Sequence, residues 1–119
     1  MADLRSWKIA GLAAFVAACS APPSERIANA ELGALAPLKQ HYSDLIAGLD
    51  IRPGTTLIVS VDLQNYIEAD DARTAAMRRD ALARWRETWL AQHPREHAAL
   101  RVRFIDFIGR KVAQQTTNV

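Results

Sequence analysis

Apolar residues change their spacing three times along the chain, and each spacing predicts an element. Leu35, Leu38, Tyr42, Leu45 and Leu49 recur at intervals of three and four, the stripe of an amphipathic helix. Pro37 suits the first turn of such a helix and Gly48 suits its end, so the helix is predicted over about 37–47. "DIRPGTT" follows as a loop, because Pro53-Gly54 is a strong turn signal. From Thr55 to Ile67, in "TTLIVSVDLQNYI", the period falls to two and a strand is predicted. Leu57, Val59, Val61 and Leu63 alternate with Ile58, Ser60, Asp62 and Gln64, as in a half-buried strand.

The helical period returns in "EADDARTAAMRRDALARWRETWLAQHP". Asp70 or Asp71 supplies a carboxylate to cap it, and Pro94 ends it. Leu82, Trp85 and Trp89 form its predicted core face, with Ala75 and Ala81 alongside, while Arg73, Arg79, Arg84 and Arg86 face water or a partner. A second alternating run covers 100–116. It sets Leu100, Val102 and Phe104 on one face and Arg101, Arg103, Ile105 and Phe107 on the other. The run is too long for one ordinary strand. A bend or hairpin is expected near Ile108-Gly109-Arg110, with a short return strand from Lys111 to Thr116.

The order α-β-α-β(-β) predicts a small α/β domain over 35–117, with α+β as the neighbouring class. A strand, a helix and a strand favour a βαβ unit with parallel strands. No internal repeat or low-complexity run interrupts this pattern.

The first residues belong to a different pattern. "MADLRSWK" is a short start carrying Arg5 and Lys8, "IAGLAAFVAA" is an apolar run, and small residues lead into Cys19. A helix of ten residues is about 15 Å long, too short to cross a bilayer core and suited to a signal peptide. Val16-Ala17-Ala18-Cys19 resembles the lipobox of bacterial lipoproteins. The resemblance covers roughly the first 20 residues. It implies removal of 1–18 as a signal peptide, a lipid on the Cys19 thiol, and acyl chains such as palmitate holding the protein to a membrane of the cell envelope, facing the periplasm. Residues 19–34 then read as the lipidated cysteine and a flexible tether, helical at most in its later part. Ser20 after the cysteine leans toward the outer membrane. An ordinary secreted protein cut after Ala18, or a buried N-terminal hairpin, are the alternatives.

Composition sharpens the surface more than the fold. A single cysteine excludes an intramolecular disulfide. Residues 20–72 carry three basic and eight acidic side chains, and residues 73–111 carry ten basic and four acidic ones. Such a split predicts internal complementarity or one basic face. An exported protein meets anionic headgroups rather than nucleic acid, so nucleic acid is not an expected partner.

Candidate chemistry is sparse. His93 and His97 flank Pro94 and Glu96, but proline removes the helical spacing a metal pair needs, so no metal or other cofactor is expected. Asp62 and Asp106 sit in strand-like segments where a carboxylate pair performs acid–base work if the strands bring them together. Ser43 and Ser60 lack the context of a nucleophile. Trp85 and Trp89 lie one turn apart and form core or the wall of a ligand site. The leading expectation is a non-enzymatic, membrane-anchored accessory or binding module. Its partner is an envelope protein or a second copy, and its interface comprises Ile105, Phe107, Arg101 and Arg103. The alternatives are a small envelope enzyme using Asp62 and Asp106, or a ligand-binding lipoprotein using Trp85 and Trp89.

Overall fold

A computed structural model describes residues 23–52 and 55–119. The expected signal peptide, the lipobox-like Val16-Ala17-Ala18-Cys19 and the first residues of the expected tether lie outside the described residues. The elements are α1 (Pro23–Ala34), α2 (Ala36–His41), β1 (Ile46–Arg52), β2 (Thr56–Val61), α3 (Leu63–Glu68), α4 (Asp71–Gln92), β3 (Ala99–Ile105) and β4 (Lys111–Asn118). The four strands form one sheet in the order β1-β2-β3-β4. β2 and β3 run parallel, and each outer strand is antiparallel to its neighbour. The α/β class and the parallel strand–helix–strand unit are therefore present, with α3 and α4 forming the crossover. Among the described residues, no helix is long and apolar enough to cross a membrane.

The helix predicted over 37–47 stops at His41. Leu35, Leu38, Tyr42 and Leu45 are all buried, so the stripe correctly marks core. Its last part, however, is a turn in which the N–H groups of Leu45 and Ile46 both donate to the Tyr42 carbonyl, at 2.9 and 2.8 Å. β1 follows, and its register slips between Ile46 and Gly48. Leu45 in the turn and Leu49 on β1 both pack into the core, four residues apart, which counterfeits a helical interval, and the bulge removes the strand period that would have marked β1.

Residues 23–34, expected as the far end of a tether, form α1, which packs against α4 and β1. Glu31 of α1 and Leu35, the residue that follows the helix, are both buried, four residues apart. The strand expected over 55–67 ends at Val61 because the Asp62 carboxylate caps α3, its Oδ1 accepting the Asn65 N–H at 3.0 Å. Asp70 caps α4 in the same way through the Arg73 N–H at 2.7 Å.

One face of the sheet meets α4. Leu57, Val59, Val61, Leu100, Val102 and Phe104 pack there against Thr74, Met77, Ala81, Trp85 and Trp89. Thr74 and Met77 extend the stripe of α4 toward its start, and Leu82, predicted as core, is only half-buried at its flank. The 100–116 run does fold as a hairpin. Gly109 takes φ +87°, a left-handed conformation open to glycine, and its N–H donates to the Asp106 carbonyl at 3.0 Å. Among the described residues, no helix covers the opposite, open face of the sheet, where Thr56, Ser60, Arg101, Arg103 and Ile105 are exposed or half-buried.

Candidate interaction surface

Asp62 and Asp106 follow β2 and β3, at the same end of the parallel pair. They do not form a catalytic pair. Register pairs Ser60 with Ile105, so Asp62 continues the open-face alternation and Asp106 the core-face alternation. Asp62 is exposed and spent on capping α3. Asp106 is buried, and its Oδ1 accepts the N–H groups of Ile108 and Arg110 at 3.1 and 2.8 Å. Its Oδ2 accepts from Arg110 Nε at 3.1 Å. Burial pushes its pKa up, but the backbone and guanidinium donors outweigh that, and the carboxyl is held below its ordinary value. Asp106 is a structural anion that shapes the hairpin turn.

The tryptophans are core. Trp85 is fully buried, and its Nε1 donates to the Thr55 carbonyl at 3.1 Å. Trp89 is 4% exposed and stacks on the His93 ring, with centroids 4.4 Å apart. Neither indole presents a face to a ligand, so the ligand-wall reading gives way to packing.

His93 belongs to a cluster that the sequence pattern hides. Its Nδ1 lies 2.6 Å from Glu96 Oε2, and its Nε2 lies 3.9 Å from Glu31 Oε2. Glu31 is distant in sequence, in a segment read as tether. Burial pushes its pKa up, and the adjacent histidine offsets part of that rise. Among the described residues, no group of three or more His, Cys, Asp or Glu side chains is placed to hold a metal ion.

The expected interface divides into two surfaces. Arg101, Arg103 and Ile105 lie on the open face as predicted, but β3 ends at Ile105 and Phe107 belongs to the turn. There it is 88% exposed. It lines a cleft of ≈ 430 Å³ with Ala47, Val61, Leu63 and Ile67, bordered by Asp62 and Gln64. Ile67, at 71% exposed, shares this cleft, and Ile108, at 59%, follows Phe107 in the turn. Large apolar side chains are thus left in water at one end of the sheet. Sequence reasoning passed over Ile67 and Ile108. The first was assigned to a strand, and the second was treated only as a turn position. The signal available was the apolar pair Phe107-Ile108 immediately before Gly109.

The second surface is a shallow depression of ≈ 410 Å³ on the open face, where Arg52, Arg101 and Arg103 border Thr56, Ile58 and Ile105. Arg52 lies in the acidic half of the chain and was not singled out by the sequence. β1 brings it to this face because Arg52 and Arg101 both pair with Thr56, one from each side.

Comparison of the chain with protein-family models, curated proteins and solved structures gives no match.

Proposed function

We propose that the chain is a bacterial lipoprotein held by Cys19 to an envelope membrane, the outer membrane favoured by Ser20, and that its domain is a non-enzymatic binding module for an envelope protein. The lipobox-like Val16-Ala17-Ala18-Cys19 supports the anchor. The observation that carries the binding role is the exposure of Phe107 beside Ile67 over a cleft. Burying an aromatic side chain contributes roughly 1.5–3 kcal/mol to association. The turn around Asp106 and Gly109 holds that ring outside the core in the free protein. The fitting partner presents an apolar side chain to the cleft, flanked by basic or N–H groups that meet Asp62 at its border.

A photo-crosslinking residue at position 107, in cells, tests the docking site. A discrete protein adduct in the envelope fraction, absent when the probe stands at exposed Glu87 on α4 and lost on Ile67→Asp, supports it. No adduct at 107, or the same adducts from both positions, overturns it. Cys19→Ser tests the anchor separately, because a variant that remains membrane-bound at wild-type level removes the lipoprotein reading.

A further inference from the structure

Strand alternation concentrates cations on the open face of the sheet. Register places Arg52 of β1, Arg101 and Arg103 of β3 and Lys111 of β4 on this face, with Asp50 as the one carboxylate that the described strands send there. Asp50 is occupied locally. It accepts its neighbour's N–H from Ile51 at 2.9 Å and lies 3.4 Å from Arg52. Arg103 Nε reaches only the neutral Gln114, at 3.3 Å. The Arg101 side chain has no hydrogen-bond or ion-pair partner among the described residues.

The floor of the face is apolar. Ile58 points to the open side, yet it is only 6% exposed, within the depression bordered by the three arginines. Long cationic side chains cover apolar surface with their stems while their heads stay in water. The Arg101 head is then placed to meet anions above the sheet, as are those of Arg52 and Arg103 on exchanging Asp50 and Gln114 for them. Their spacing limits which anions fit. Arg52 and Arg101 stand two strand intervals apart, about 10 Å. Arg101 and Arg103 stand two residues apart along one strand, about 7 Å. At these backbone spacings the three heads can each meet a separate phosphate of a planar array, and a single phosphate on which they converge is the competing occupant that the test separates.

We infer that the open face of the sheet lies on a bilayer of anionic phospholipid, with Arg52, Arg101 and Arg103 on headgroup phosphates and Lys111 at the rim. This rests on the membrane placement proposed above. It also adds an orientation, because the cleft holding Phe107 is lined by other residues and stays available to a protein partner.

The test uses the lipidated chain from Cys19 to Val119, which lacks Trp7, carrying Gln114→Trp and reconstituted in vesicles that contain a headgroup-labelled quencher lipid. Gln114 is exposed beside Arg103, and the buried Trp85 and Trp89 give a background measured with the unsubstituted chain. Flotation with neutral phosphatidylcholine vesicles reads the anchor. The extra quenching in phosphatidylglycerol vesicles reads the face. Each near-surface cation shifts the equilibrium between a lying and a free-standing domain by about fivefold. The extra quenching is therefore expected only in the anionic vesicles. It should fall with added salt and disappear in Arg101→Glu/Arg103→Glu, whose fold is checked by the near-ultraviolet signal of the buried tryptophans. Equal quenching in neutral and anionic vesicles, or quenching unchanged by the charge reversal, overturns the inference. Abolition by millimolar inorganic phosphate at constant ionic strength also overturns it, because that outcome marks a site for single phosphates.

Discussion

Glu31 Oε2 lies 3.9 Å from His93 Nε2 and has no hydrogen-bond partner among the described residues, although the residue is 3% exposed. A buried carboxylate in this state favours its protonated form, and its pKa is accordingly raised by burial. A raised folded-state pKa gives a contribution that is full below the unfolded value and lost as pH rises through the folded one. Glu31 therefore opposes docking of α1 at neutral pH. Glu31→Gln is expected to raise the urea midpoint at pH 7, with the advantage shrinking toward pH 4. Urea titrations of both proteins across that range check it, and a variant less stable at pH 7 shows that the His93 attraction dominates.

Asp106 has the opposite sign. Its pKa is lowered, so its contribution is present above the unfolded value and is lost as pH falls through the folded one. Asp106→Asn keeps the shape but removes the charge facing Arg110 and weakens acceptance from two backbone N–H groups. The variant should melt several degrees below the parent at neutral pH and approach it in strong acid. A melting difference independent of pH would show that the charge is not what Asp106 supplies.

The hairpin makes a purely conformational prediction at Gly109. A Cβ there meets no atom within 4 Å, so Gly109→Ala creates no clash. Its φ of +87° still disfavours any L side chain. The substitution should cost about 1–2 kcal/mol in chemical denaturation. A change near zero would mean that the turn relaxes to another conformation.

These positions show where the sequence was readable. The parallel β2–α4–β3 unit and the hairpin were legible because alternation at 57–61 and 100–104 and the Trp85–Trp89 interval each report one buried face. β1 was hidden because Leu45, buried in the turn before it, stands a helical interval from Leu49, and the bulge at Ala47 breaks period two between Ile46 and Gly48. α1 was hidden because Glu31, the residue it buries most deeply in its own span, is charged. Arg101, Arg103 and Ile105 were placed on the right face by alternation. Phe107 was not, because the Asp106 and Gly109 turn ends the strand before it. Arg52 joined them only once β1 existed.

Trp85 offers the test of whether the helical layer and the sheet form one cooperative unit. Its ring is fully buried, and its Nε1 ties α4 to the Thr55 carbonyl immediately before β2. Trp85→Phe removes that bond and part of the ring, and is expected to cost about 0.5–1.5 kcal/mol, because the Thr55 carbonyl keeps the Arg101 N–H at 3.0 Å. Trp85→Ala also opens a cavity and should cost about 3–5 kcal/mol, enough to unfold much of a small domain. Hydrogen exchange distinguishes a global effect from a local one. Protection should fall together in α4, β2 and β3 of Trp85→Phe. Loss confined to α4 would show that the helix opens independently of the sheet.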